Sequence, residues 1–203
     1  FWFDWPIKKV RFLTAISDRT KQDLIDLLGC DPDKITVIHN PISADFKRSD
    51  RPFNERAPRV LHIGTRPNKN LERVIESLAG LSCKLVVVGP LNDLQSQLLA
   101  TYKIDFENLV DLTNEQIIAQ YEQCDLVMFP SLFEGFGLVA IEGQASGKPV
   151  VTSIGSPFDE VVGDTACLVD PKDTQSIRAA FLRIQTDVAY RKNLVEQGAA
   201  NAE

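Results

Sequence analysis

The chain has 203 residues, 44% hydrophobic and 25% charged, with a formal net charge of −6. That length fits one large domain with a sizeable core. The acidic balance excludes a nucleic-acid binder that would need a basic face, while leaving room for a local basic pocket suited to one diphosphate. Four cysteines, Cys30, Cys83, Cys124 and Cys167, stand apart without a C-x-x-C pair. They are expected as buried free thiols of a reducing cytosol rather than a disulfide framework or a zinc site. No run is long and apolar enough to span a membrane, and no secretory leader is present, so a cytoplasmic protein is expected.

In chain order, Phe1, Trp2, Phe3, Trp5 and Phe12 mingle with Lys8, Lys9 and Arg11. Such a mixture suits a membrane surface; packing on the core or on a neighbouring domain is the plainer reading and is preferred. Residues 10–15 read as a strand, Ser17 caps a helix running to Leu28, and Gly29 closes it. Residues 35–39 form the next strand. Residues 43–58 are polar and aperiodic, as a loop or linker would be.

A stronger series follows. Strands are expected at 59–63, 84–88, 108–111, 126–129, 149–152 and 166–169, with helices at 70–78, 91–102, 113–123 and 138–146 and two more after Pro171. Thr113 and Gln116 make a capping box, and Gly147 ends the helix before it. Strand, loop and helix alternating every twenty to thirty residues or so predict a Rossmann-like, doubly wound parallel sheet. Ligands of such sheets bind outside the carboxyl ends of the strands.

Two of the loops leaving strands carry chemistry. Gly64-Thr65-Arg66-Pro67-Asn68-Lys69-Asn70 offers a glycine turn, helix-end amides and two cations, a set that suits phosphate, although it lacks the P-loop pattern. It can equally be a solvated loop. The second, from Pro130 to Glu142, has two glycines that free the backbone for close approach to a ligand, and a helix starts at once. Glu134 sits in the loop and Glu142 one turn inside the helix. Glu134 is either a ligand contact or a helix cap; Glu142 is either a ligand contact or a solvated face residue, the latter less comfortable beside Val139, Ala140 and Ile141.

The run Glu134-Gly-Phe-Gly-Leu-Val-Ala-Ile-Glu142 resembles the E-x7-E signature of the group 1 retaining glycosyltransferases of GT-B fold. The similarity extends to Ala15-Ile16-Ser17 with the helix behind it, Ile35 to Asn40, Gly64 to Asn70, Ala145 to Val151, and Glu160 to Pro171. It implies that the chain, as residues 1–203, is the C-terminal, donor-binding half of such an enzyme, with the N-terminal acceptor domain absent. The donor is then a nucleoside diphosphate sugar of UDP or GDP type, used as a substrate without cofactor or metal. By resemblance Glu134 is the catalytic-site contact to the transferred sugar and Glu142 holds the ribose. Gly135, Phe136, Gly137 and Leu138 present backbone to sugar and phosphate, while Arg66 and Lys69 neutralise the diphosphate leaving group. The whole enzyme would be a hexosyl- or mannosyl-type transferase, peripheral to the inner face of a membrane, and the isolated half would be inactive.

The sequence departs from the family pattern in three places: a slightly shorter first loop, Asp159 where proline is usual, and Gly143-Gln144 where small and apolar residues are common. Asp31-Pro32-Asp33 spells a D-x-D metal motif of another transferase fold but reads as turn chemistry. Of the two histidines, His62 is expected as a satisfied core residue, and His39 has no evident partner. A GT-B epimerase or phosphorylase, and a partner-binding domain on a degenerate transferase scaffold, are the rival classes; nucleotide-sugar binding discriminates the last of these.

Overall fold

The computed structural model describes residues 4–155 and 157–203. The expectation placed on Phe1, Trp2, Phe3 and the Trp5 side chain lies outside the described residues. A short helix α1 (Asp4–Lys9) precedes β1 (Leu13–Ala15), α2 (Asp18–Leu28) and β2 (Ile35–Val37). Helix α2 begins where its capping chemistry dictates: the Ser17 side chain accepts from the Thr20 amide, meeting one of the orphan donors of the first turn. Gly29 ends it in the left-handed conformation at φ 63°, a cap that costs glycine little. Asp31 accepts from the Asp33 amide at 3.0 Å, so the D-x-D spelling is a turn.

Strands β1 and β2 pair in parallel only with each other, Leu13 opposite Ile35, as a two-stranded sheet separate from the main one. The single-domain sequence reading did not separate them. The unit has a small core of Ala15, Cys30 and Ile35, backed by Leu13, Leu24, Ile25 and Val37, and a lone strand pair of this size is marginal by itself. It leaves Phe12, Leu27 and Ile38 exposed at 69%, 79% and 58%.

After the irregular stretch come β3 (Arg59–Ile63), α3 (Leu71–Ser77), β4 (Lys84–Val88), α4 (Asp93–Thr101), β5 (Asp105–Leu109), α5 (Asn114–Gln123) and β6 (Leu126–Phe129). The chain finishes with α6 (Leu138–Ala145), β7 (Val150–Ser153), α7 (Phe158–Val161), β8 (Cys167–Val169), α8 (Thr174–Thr186) and α9 (Val188–Asn201). The six strands run parallel in the order β5-β4-β3-β6-β7-β8. Alternation along the strands divides the core. Val60, Leu85, Val87, Leu126 and Met128 face Leu71, Ile75, Leu99, Ile177 and Phe181 on one side of the sheet. Leu61, Val86, Val127 and Phe129 face Tyr121, Ala140, Ile141 and Phe158 on the other.

Gly143, a poor helix former in isolation, has its reason in this packing. A Cβ there would stand 3.0 Å from both Val127 Cγ2 and Val150 Cγ2, so α6 lies flush on the sheet because residue 143 has no side chain. Gln144 is buried and donates to Thr165 Oγ1 at 2.7 Å while accepting from Asn201 at 2.9 Å, tying α6 to its neighbours. Asp159 accepts from the Gly155 amide at 2.9 Å. All four cysteines are free and buried.

Candidate functional site

Strand order reverses between β3 and β6, the topological switch point of this sheet, where the crevice for a ligand opens in folds of this kind. The two chemically loaded loops leave those two strands. They are laced together: the Leu132 amide donates to Asn68 O at 2.8 Å and Asn68 Nδ2 to Phe133 O at 3.1 Å. Asn70, buried and left-handed at φ 64°, donates to Pro130 O at 2.9 Å and to Pro171 O at 2.7 Å. One side chain thus pins the loops after β3, β6 and β8. The sequence marked it only as the last residue of the phosphate-suited loop and the first of the expected helix, an asparagine that tolerates that conformation.

Lys69 and Glu134, separated by 65 positions, form a partly buried ion pair of 2.7 Å. Ser131 Oγ donates to the same Glu134 oxygen at 2.8 Å, and the Lys69 ammonium lies 4.8 Å from the centre of the Phe129 ring, within cation–π range. Gly64, at φ 92°, makes room for this lysine: a Cβ there would meet Lys69 Cγ at 3.0 Å and Cε at 3.3 Å. Arg66 stands on the same loop, exposed, outside the Lys69–Glu134 contact.

Helix α6 starts from Gly137, left-handed at φ 94°, with no side-chain cap, so Glu134 is not a helix cap. Among the described residues the amides of Phe136, Gly137 and Leu138 have no hydrogen-bond partner within the chain. Unpaired donors at a helix start, reinforced by its dipole, attract anions. Gly137 is obligatory for a second reason: a Cβ would sit 2.4 Å from Phe158 Cε1, against the ring that covers the loop.

Glu142 is not a solvated face residue either. Tyr121 of α5 donates its hydroxyl to Glu142 Oε2 at 2.6 Å. Burial raises the Glu142 carboxyl above its usual range, and the tyrosine bond partly opposes that rise. The Tyr121 phenol is itself pushed well up, first by burial and then by the neighbouring charge. Tyr121, Ser131 and Asn70 are site residues that the sequence reading missed.

His39 does have a partner. Its Nε2 lies 2.8 Å from Glu160 Oε1, and both Glu160 oxygens accept from the Asp18 amide at the start of α2, at 2.9 and 3.0 Å. His62 is fully buried, with Nδ1 2.8 Å from Met128 O and, among the described residues, no hydrogen-bond partner for Nε2. It is thus half satisfied, and burial holds its pKa down to about 4. A groove of about 1050 Å³ lined by His39, Asn40, Phe136, Ile141 and Glu160 adjoins the glycine loop, but Lys69, Glu134 and Glu142 lie outside it.

A six-stranded parallel sheet in this order, flanked by helices, is a Rossmann-like fold, and it matches solved GT-B glycosyltransferase structures. Sucrose-phosphate synthase from Thermosynechococcus elongatus superposes with a TM-score of 0.84 at 20% identity, over 98% of this chain and 55% of that one. The Anabaena protein HepE, solved with UDP and glucose, gives 0.83 at 19% identity over 95% and 58%. The family model "Glycosyl transferases group 1" matches residues 43–201. The chain belongs to the group 1 glycosyltransferases. It is 26% identical to O-antigen chain mannosyltransferase B of Escherichia coli, over 97% of this chain and 57% of that protein. It is 33% identical to D-inositol 3-phosphate glycosyltransferase of Mycobacterium sp. strain KMS, over 75% and 39%. The chain spans between about a quarter and a little over half the length of the curated relatives it matches. Family and fold are those expected from the sequence. No helix among the described residues is long and apolar enough to cross a membrane.

Proposed function

We propose that this chain binds a nucleoside diphosphate sugar, of UDP or GDP type, for an enzyme that transfers the sugar, a hexose such as mannose, with retention at the anomeric carbon. The observation that carries the reading is the set of unpartnered amides of Phe136, Gly137 and Leu138 at the start of α6, beside the Lys69–Glu134 pair at the switch point. The amides, Lys69 and the exposed Arg66 receive the diphosphate. During transfer the bond from the anomeric carbon to the diphosphate oxygen breaks and that oxygen keeps the electron pair. Preorganised donors stabilise the developing charge, so the chain's own cations supply what a divalent metal would otherwise provide. Glu134 accepts from hydroxyls of the transferred sugar, and Glu142, steadied by Tyr121, accepts from the ribose. The acceptor hydroxyl forms the new bond to the anomeric carbon and passes its proton to the departing diphosphate oxygen. Retention and these residue roles rest on the E-x7-E resemblance together with the site geometry. HepE carrying UDP and glucose on the same fold supports a nucleotide-sugar ligand.

The acceptor side belongs, in this proposal, to an N-terminal domain of the same polypeptide, so that the chain alone transfers nothing. The exposed apolar residues of the two-stranded unit and the chain's coverage of only part of its relatives' length support that division. Four unpaired thiols suit the cytoplasm, where we place the enzyme, working at the inner face of a membrane.

Melting in the presence of UDP, GDP, UDP-glucose and GDP-mannose tests the reading. A ligand at about 100 times its dissociation constant adds about 2.7 kcal/mol, or roughly 5–10 °C for a domain of this size. A flat response to all four rejects it.

A further inference from the structure

We propose that Ser17, backed by Thr20, is a positioning residue of the donor site: it fixes the Gly135 carbonyl and thereby aims the Phe136 amide at the donor. The inference rests on the donor-binding reading above. Ser17 lies 118 positions away from Gly135 and is fully buried, with its Oγ 2.9 Å from Gly135 O. Thr20 Oγ1 is 2.9 Å from Ser17 Oγ and 3.4 Å from the same carbonyl. Each hydroxyl has one proton to give. If Ser17 donates to Gly135, Thr20 donates to Ser17; if Thr20 donates to Gly135, Ser17 donates to Thr20. The carbonyl is held in either arrangement, and the second hydroxyl polarises the first.

A trans peptide is planar, with its C=O and N–H pointing opposite ways. Pinning the Gly135 oxygen therefore sets the direction of the Phe136 N–H, one of the amides without an internal partner. The backbone at this point is pressed against the brace: a Cβ on Gly135 would stand 3.1 Å from Ile16 Cδ1. The brace is anchored on its other side as well, because the Asp18 amide is held by both oxygens of Glu160. The start of α2 thus grips both the loop after β6 and helix α7, which follows β7. A glycine-rich loop left to itself samples many conformations, and a fixed amide loses less freedom when a phosphate binds.

Ser17 also caps α2, so its loss lowers stability whatever else it does, and the test must separate the two effects. We compare Ser17→Ala, Ser17→Thr and Thr20→Val by calorimetric titration with UDP and GDP, and by following the Phe136 amide resonance. Ser17→Ala is expected to weaken the nucleotide that binds by about five- to tenfold and to abolish the shift of the Phe136 amide on nucleotide addition. Ser17→Thr restores both, and Thr20→Val gives a smaller loss. If the wild-type chain binds nucleotide and Ser17→Ala melts earlier yet binds as tightly, with the Phe136 shift intact, Ser17 is only a helix cap and the inference fails. If wild type binds neither nucleotide, the donor-site reading falls and takes this inference with it.

Discussion

Lys69 Nζ lies 2.7 Å from Glu134 Oε1, so the cation expected to meet the diphosphate is held by the carboxylate expected to meet the sugar. The pair keeps both groups partly buried without leaving either charge alone, an arrangement costly to break by removing one member. A bound donor offers each a replacement: phosphate oxygens for the lysine, and sugar hydroxyls for the carboxylate that the lysine releases. The two halves of one substrate thereby compensate one ion pair.

That exchange separates the carboxylates. Glu134→Gln leaves Lys69 without its anionic partner, so nucleoside diphosphate should bind as before or slightly tighter, while the extra affinity supplied by the sugar falls. Glu142→Gln should weaken nucleoside diphosphate and nucleotide sugar alike, since both contain the ribose. Calorimetry with one nucleotide, with and without its sugar, distinguishes them. Equal damage to diphosphate binding from both substitutions would contradict the assigned roles.

Gly137→Ala meets two obstacles at once, a φ of 94° and a Cβ 2.4 Å from Phe158 Cε1. Overpacking plus left-handed strain should cost about 2 kcal/mol or more, a fall of roughly 4–8 °C in melting temperature. Nucleotide affinity should drop as well, because the amides on either side turn with the loop. A variant melting like wild type would show that the Phe158 contact yields freely.

His62 gives the fold a pH dependence. The unfolded chain takes up its proton near the ordinary value of 6.5, the folded one only near 4. Between those values the unfolded state holds more protons, so stability rises with pH across this window and is lost on acidification, by about 3 kcal/mol from this group. In His62→Gln, which can still donate to Met128 O, denaturant unfolding at several pH values should show a flatter dependence over the same window. An unchanged slope would mean that other groups carry it.

The strands legible in the sequence were those buried on both faces. Residues 59–63, 84–88 and 126–129 are apolar runs with turn signals behind them, and the structure ends them at those positions. The strand expected at 108–111 instead occupies Asp105–Leu109. It lies at the sheet edge with Asp105, Phe106 and Asn108 exposed, and neither Asp105 nor Glu107 advertises a strand. Parallel pairing is non-local, so nothing in residues 10–39 announced that β1 and β2 would pair only with each other. At the site, residue types and loop positions were readable, but partnerships were not. Tyr121 reads as a core aromatic until its hydroxyl is found on Glu142, and Ser17 reads as a cap until its second bond, to Gly135, is seen.

The most direct test of the donor site is the difference between nucleoside diphosphate and free nucleoside on one substitution, Lys69→Ala. UDP and GDP, with uridine and guanosine as their controls, are titrated calorimetrically into wild type and variant at one salt concentration. A lost charge-assisted bond is worth roughly 1.5–3 kcal/mol, so diphosphate affinity should fall about ten- to a hundredfold while the nucleoside is barely changed. Equal losses for diphosphate and nucleoside, or no loss for either, would contradict the placing of the diphosphate between Lys69 and the start of α6.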